Sequence, residues 1–329
     1  MLNLNNNMKA LSLEQEYTLV KSSAGIFDFS LEGKIKVSGE KAKEFLQGLV
    51  SNDVNLEISY GVYAAFLNRF GKILSDCFIY CFQDYFIILL PFAQKQKIFS
   101  MLKKEALLSN VIVEDITLQY ALLSVQGKKA KNILEAFFQE KIELKYLYSI
   151  LIKRKDIDFF IMQNKRSGLE SYDLLFPAKN YQNVLQELSQ KENLHKMSFT
   201  TYDILRLEAG IPLFGIDFDE TTLLLELGED AVSYTKGCYI GQEVVARIKN
   251  LAKGITPKKL VKLQIEGEEA FEKNTEIYSQ DKKIGFLTSS AYSYGLKKIV
   301  ALGYMQKGFY DVKEVEVGEE KKKGVINSS

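Results

Sequence analysis

The pattern of hydrophobic residues changes at Lys259, and this change divides the chain into two regions. From that residue onward, the segments KLVKLQIEG, TEIYS, KKIGFLTSS and KKIVALGYM have the length and spacing of short strands separated by polar turns. Such a series is typical of a small all-β barrel or sandwich. The preceding residues mix strands with amphipathic helices, and this mixture predicts an α+β region.

The length of the chain supports a division into domains. The 329 residues exceed what one small hydrophobic core usually organises, so we expect two or three domains. We place the α+β region at residues 13–255 and the β-barrel at residues 256–312. The stretch GEEKKKGVINSS offers little to bury, and it predicts a disordered tail over residues 313–329.

The overall charge is close to zero, because 43 lysines and arginines face 42 aspartates and glutamates. We therefore expect no stable binding of nucleic acid and no membrane partner. The N-terminus lacks an apolar core of signal-peptide length, so we predict a cytoplasmic protein. With three cysteines and one histidine, His195, the chain favours neither a disulfide framework nor a His-based zinc site, and we predict no metal.

The stretch KGCYIGQE, residues 236–243, contains the best candidate for a reactive thiol. Cys238 precedes a predicted helix that begins near Gly241 or Gln242, and the N–H groups at a helix start carry partial positive charge. Together with Lys236, they are expected to stabilise a thiolate. The alternative interpretation is a buried cysteine in a glycine-rich turn. Cys77 and Cys81 lie four residues apart in an apolar strand pattern, which favours a packing role.

Two further stretches carry candidate chemistry. In LRLEAG, at the end of a predicted helix over residues 201–210, Arg206 and Glu208 are expected to point to different faces. A buried Glu208 carboxylate is suited to accept two N–H bonds from a planar heterocycle, and Tyr202 is suited to stack on one. In GKILSD, Asp76 is a candidate acid or base if it faces inward on its strand. The alternatives are a surface charge for Glu208, core packing for Tyr202 and a solvated turn residue for Asp76.

Several of these stretches together resemble a known family. KGCYIGQEVVAR resembles the signature of the YgfZ-type folate-binding proteins, which are relatives of the glycine-cleavage T-protein, an aminomethyltransferase. LRLEAGIPLFG, FLQGLVSNDV, GKILSD, and GFLTSS followed by ALGYM match in the same order. The resemblance runs from about residue 25 to about residue 306.

The resemblance implies three subdomains around a central channel, two in the α+β region and the third a small β-barrel. It implies that tetrahydrofolate binds in the channel. Glu208 then corresponds to the residue that holds the pterin ring, and Tyr202 to an aromatic contact. We assign Lys236 and Arg247 to the same folate site, and Cys238 and Asp76 to the chemistry.

Two functions are consistent with this resemblance. The first is a folate-binding accessory factor that uses Cys238 to assist assembly or repair of iron–sulfur client proteins, including enzymes that modify tRNA. The second is a folate-dependent one-carbon transferase that uses Asp76. The T-protein has paired aspartates where this chain has Ser75–Asp76, and no tryptophan is present to contact folate. A third possibility, a module that contacts tRNA directly, is disfavoured by the near-zero net charge.

Overall fold

The computed structural model describes residues 11–192 and 194–327. The helices in chain order are α1 (Leu13–Ser22), α2 (Ala42–Gln47), α3 (Phe92–Ala106), α4 (Ala130–Phe138), α5 (Tyr181–Ser189), α6 (Phe199–Ala209), α7 (Leu224–Leu227) and α8 (Gln242–Asn250). The strands are β1 (Gly25–Asp28), β2 (Gly33–Ser38), β3 (Gly61–Leu67), β4 (Ile73–Cys81), β5 (Tyr85–Leu90), β6 (Ile112–Asp115), β7 (Tyr120–Gln126), β8 (Ser149–Arg154), β9 (Ile157–Asn164), β10 (Ser171–Pro177), β11 (Lys258–Ile265), β12 (Glu276–Ser279), β13 (Lys282–Ser293), β14 (Lys298–Gln306), β15 (Glu314–Val317) and β16 (Lys322–Asn327). Among the described residues, no helix combines the length and the apolar composition that crossing a membrane requires.

The α+β region contains two five-stranded antiparallel sheets. The first has the order β3-β4-β5-β2-β6, and its outer face packs against α2 and α3. The second has the order β1-β7-β10-β9-β8 and packs against α4 and α5. The inner faces of the two sheets meet in a hydrophobic cluster. This cluster contains Tyr80, Ile87 and Leu89 from the first sheet and Leu122, Met162 and Leu175 from the second.

Helix α6 links the second sheet to the barrel. Ser198 caps its start by accepting a hydrogen bond from the backbone N–H of Thr201, and Gly210 ends it with a φ of 79°. On one side the helix packs through Leu207 against barrel residues. Arg206 donates to Asp217 at 2.6 Å, and both side chains are fully buried. Because Asp217 also accepts a hydrogen bond from Thr288 on β13 at 2.6 Å, this ion pair fastens α6 to the barrel.

The C-terminal barrel is closed and has six strands in the order β11-β14-β13-β12-β15-β16. The expected α+β fold with a terminal barrel is thus confirmed. The predicted disordered tail is wrong for residues 314–327, since β15 and β16 lie in this stretch and complete the barrel. Val315 and Val317 alternate with Glu314 and Glu316, and together with Ile326 they bury their side chains in the barrel core.

Candidate functional site

Asp76 lies on β4 and faces the space between the two sheets. The cross-strand pairs Ala65–Asp76 and Tyr63–Phe78 place Tyr63, Asp76 and Phe78 on one face, and Phe78 packs against the cluster where the sheets meet. The Tyr63 hydroxyl donates to Asp76 Oδ2 at 3.0 Å. Asp76 Oδ1 is buried and has no hydrogen-bond partner in the part of the chain that the structure describes. The interpretation of Asp76 as a solvated turn residue is therefore wrong.

The environment of Asp76 favours its protonated form. Burial raises the pKa of this carboxyl from 3.8 to about 6, and the hydrogen bond from Tyr63 opposes part of that rise. Glu32 raises the pKa further, whereas the Arg166 guanidinium lowers it. A carboxyl with a pKa close to neutral pH is suited to take up and release a proton.

Arg166 forms a charged cluster beside Asp76 that sequence reasoning missed. Its guanidinium donates to both oxygens of Glu32 at 2.7 and 2.9 Å and to Asp173 at 2.7 Å. It also lies over the ring of Phe29, 4.3 Å from the centroid. The one available signal was Asp173, a carboxylate inside the apolar strand sequence SYDLLFP.

Tyr202 connects this cluster to an open cavity. Its hydroxyl donates to the carbonyl oxygen of Arg166 at 3.2 Å, and its buried ring packs against Phe29 with centroids 5.2 Å apart. Tyr202, Phe29 and Phe199 line a cavity of about 600 Å³, whereas Asp76 and Glu208 do not. A stacking role for Tyr202 toward folate stays a prediction.

Glu208 is engaged by three protein groups. Its Oε1 accepts hydrogen bonds from Tyr17 and Ser293, each at 2.6 Å, and its Oε2 accepts one from Lys21 at 3.1 Å. Burial and the bond to Glu208 raise the pKa of Tyr17 to about 12. Glu208 thus fastens α1 and α6 to barrel strand β13. As predicted, Glu208 and Arg206 point to different faces of α6, since Arg206 binds Asp217. The pterin contact of Glu208 stays a prediction.

The KGCYIGQE stretch presents its cysteine and its lysine to different surroundings. Cys238 is exposed, so the alternative of a buried cysteine is wrong, while Cys77 and Cys81 are buried as predicted. The Lys236 ammonium is buried and donates to the carbonyl oxygens of Val50 and Asn52 at 2.6 and 2.8 Å. This hydrogen bonding gives Lys236 a role other than the expected stabilisation of the thiolate. Helix α8 begins at Gln242, as predicted.

The six predicted site residues do not form one cluster. Hydrogen bonds link Lys236 to Asp76 through two residues. Lys236 donates to the Asn52 carbonyl oxygen, the Asn52 side-chain amide donates to the Tyr63 carbonyl oxygen at 2.9 Å, and the Tyr63 hydroxyl donates to Asp76. Tyr202 lies next to the Arg166 cluster. Arg247 is exposed on α8, and among the described residues its side chain has no ion pair. Glu208, Cys238 and Arg247 are not hydrogen-bonded to the Asp76 network.

Two sheets with outer helices and a closed six-stranded barrel define the fold class of the glycine-cleavage aminomethyltransferases. The structure matches that of glycine cleavage system aminomethyltransferase T from Bartonella henselae with a TM-score of 0.86 and 23% sequence identity, over 97% of this chain and 89% of that chain.

Family models identify the chain more closely. The model described as the GCVT N-terminal domain matches residues 6–236, and the one described as the glycine cleavage T-protein C-terminal barrel domain matches residues 258–325. The chain therefore belongs to the glycine cleavage T-protein family. The family uses tetrahydrofolate, so the expected folate cofactor is confirmed at the level of the family.

Relatives named aminomethyltransferase match nearly the whole chain. The aminomethyltransferase of Caldanaerobacter subterraneus subsp. tengcongensis is 27% identical over 316 residues, which cover 93% of this chain and 83% of that protein. The aminomethyltransferase of Thermotoga maritima is 28% identical over 305 residues, which cover 90% and 82%. These relatives support the T-protein family, while the narrower YgfZ-type assignment stays a prediction.

Proposed function

We propose that this protein is a folate-dependent one-carbon transferase in which Asp76 is the residue that handles the proton. The observation that carries the proposal is the buried oxygen Asp76 Oδ1, which has no hydrogen-bond partner among the described residues. A buried polar atom without a partner costs free energy, and an N–H group of a bound ligand would satisfy it. This buried acceptor therefore fits a cofactor with N–H donors, such as tetrahydrofolate.

The residues around Asp76 have distinct parts in this proposal. Tetrahydrofolate, when bound, supplies the nitrogens that carry the one-carbon unit. Asp76 Oδ1 accepts the proton at the ligand, while Tyr63 holds Oδ2 in place. The ion pair between Arg166 and Glu32 holds one positive and one negative charge in place beside the carboxylate. The neighbouring residue is Ser75, which has no carboxylate, and its hydroxyl donates to the Asp76 carbonyl oxygen at 2.8 Å.

The test has a binding arm and a turnover arm. Purified protein is titrated with tetrahydrofolate by calorimetry, and folate-dependent consumption of formaldehyde is measured against the spontaneous rate without protein. We expect binding and a rate above the spontaneous one, with the rate lost in Asp76→Asn and kept in Cys238→Ser. A wild-type rate equal to the spontaneous rate would rule out formaldehyde as the one-carbon source, and aminomethyl turnover would then decide between transferase and non-enzyme. Failure of both turnover assays overturns the proposal.

A second candidate function rests on Cys238. It is the exposed one of the chain's three cysteines, as a thiol that meets a client protein must be. In this function the protein binds folate and assists assembly or repair of iron–sulfur proteins in the cytoplasm. Cells that carry Cys238→Ser would lose iron–sulfur enzyme activity, whereas the buried-site control Cys77→Ser would keep it. Unchanged activity in Cys238→Ser cells would exclude the thiol role.

A further inference from the structure

Lys236 is a buried lysine whose ammonium lies 5.0 Å from the centroid of the Tyr239 ring and, among the described residues, donates its hydrogen bonds to backbone oxygens. The residue is 8% exposed, and its ammonium donates to the carbonyl oxygens of Val50 and Asn52 at 2.6 and 2.8 Å. Burial of a lysine is costly unless its ammonium is hydrogen-bonded. The two carbonyls belong to one short loop, so Lys236 fixes the position of that loop.

The loop at residues 50–52 is in turn hydrogen-bonded to Ala65 and Tyr63 on strand β3. The backbone N–H of Ser51 donates to the carbonyl oxygen of Ala65 at 3.0 Å, and the N–H of Ala65 donates to Ser51 Oγ at 2.9 Å. The Asn52 side-chain amide donates to the carbonyl oxygen of Tyr63 at 2.9 Å. Ala65 is the cross-strand partner of Asp76. The loop thus determines where this part of β3 lies relative to Asp76.

We propose that Lys236 is a positioning residue for Asp76, acting through the loop at residues 50–52 and strand β3. The two ends of the path are 160 residues apart in sequence, at positions 236 and 76. Hydrogen bonds join Lys236 to Asn52, Asn52 to Tyr63 and Tyr63 to Asp76, and the path crosses Asn52 and Tyr63 through their own covalent bonds. The inference rests on the proposed function only in giving Asp76 a proton to handle; the positioning itself is a property of the free protein.

Loss of the Lys236 ammonium has a defined consequence at Asp76. The carbonyls of Val50 and Asn52 lose their shared donor, so the loop and the β3 backbone at Tyr63 become less fixed. The Tyr63 hydroxyl then bonds Asp76 Oδ2 less well, which weakens the hydrogen bond that favours the charged form of the carboxylate. The charged groups facing Asp76, Glu32 and Arg166, stay unchanged. The titration of Asp76 therefore moves upward in pH.

The experiment follows the titration of Asp76 in the free protein. Carbon NMR of protein labelled at the aspartate carboxyl carbon reports the titration, and Asp76→Asn assigns the signal. We expect Lys236→Met to move the midpoint upward by about one pH unit, the size of one lost charge-assisted hydrogen bond. Asn52→Ala removes the next bond on the path and is expected to move it in the same direction. Lys236→Arg keeps a donor and restores most of the wild-type midpoint.

The matched control is Lys249→Met, which removes the same charge from α8, where Lys249 pairs with Glu229 at the surface. Its midpoint is expected to equal that of the wild type. Binding of 5-formyltetrahydrofolate is measured alongside, with a loss of about 10-fold to 100-fold expected in Lys236→Met because small misplacements of a site residue are costly. Wild-type midpoints in both Lys236→Met and Asn52→Ala overturn the positioning role. Absence of folate binding by the wild type counts against the proposed function alone, since the titration in the free protein still decides the inference.

Discussion

Replacement of Asp76 by asparagine is expected to change the stability of the protein in a pH-dependent way. In the unfolded chain the carboxyl titrates near 3.8, whereas in the folded protein burial raises its pKa to about 6. Above pH 6 the folded state therefore holds a buried charge that the unfolded state keeps in water, and ionisation opposes folding. The stability that the protonated carboxyl gives is fully present below the unfolded pKa and is lost as the pH rises through the folded one.

The size of the effect follows from the two pKa values. A difference of about two units, at about 1.4 kcal/mol each, weakens folding by about 3 kcal/mol at pH 8 and by about half as much at pH 5. Asp76→Asn removes this dependence while its amide oxygen still accepts from Tyr63. Any constant cost of burying the new NH₂ group is the same at both pH values. The variant should therefore gain about 1–2 kcal/mol on the wild type between pH 5 and pH 8.

Urea denaturation at several pH values between 5 and 8 measures this gain. The control is Asp84→Asn, because Asp84 is exposed in the turn between β4 and β5 and its replacement should change stability by less than about 0.5 kcal/mol at every pH. A difference between Asp76→Asn and the wild type that stays constant with pH, or that falls as the pH rises, would refute the reasoning about the buried carboxyl.

Three further predictions concern other parts of the structure. Arg206→Met leaves the Asp217 carboxylate buried without its cation, and we expect a loss of about 3–5 kcal/mol in the free energy of unfolding; a loss below about 1 kcal/mol would show that the ion pair does not fasten α6 to the barrel. Glu208→Gln weakens the bonds to α1 and β13 and should cost about 1–3 kcal/mol, measured by the same denaturation; an unchanged midpoint would mean that Glu208 is not structural. A thiol reagent such as DTNB should label one cysteine, Cys238, in the folded protein and all three in denaturant; rapid labelling of more than one in the folded protein would contradict the burial of the other two.

The elements that sequence predicted correctly are those with local signals. Helix α6 ends where expected because Gly210 supplies the positive φ that a C-cap needs. The predicted start of α8 near Gly241 or Gln242 is also correct, since the helix begins at Gln242. The tail was predicted wrongly because the valines of β15 become core residues only when the barrel closes. That closure depends on strand pairing with β11 and β12, which a local pattern does not show.

The site was predictable only in part, for a similar reason. Asp76 was found because a single carboxylate follows the glycine turn in a strand pattern. Arg166 and Glu32 are 134 residues apart in sequence, and their pairing exists only because the two sheets face each other. The partners of Glu208 come from α1 and β13, and no local pattern predicts that these two elements lie together. Residue type therefore suggested the candidates, whereas their partners depended on tertiary packing.

The KGCYIGQE stretch, which contains the exposed Cys238, packs against the turn that leads into the strand of Asp76. Gly241 has a φ of 87°, and a Cβ there would lie 2.7 Å from the carbonyl oxygen of Asn68, in the turn between β3 and β4. Gly71 in that turn has a φ of 71°, and a Cβ there would lie 2.9 Å from the side chain of Val244 on α8. The two glycines let the turn and the loop interlock. A larger residue at Gly241 would therefore disturb the turn that leads into the strand of Asp76. The exposed Cys238 takes no part in this contact, so Cys238→Ser tests the thiol, whereas a change of Lys236 tests the effect on Asp76.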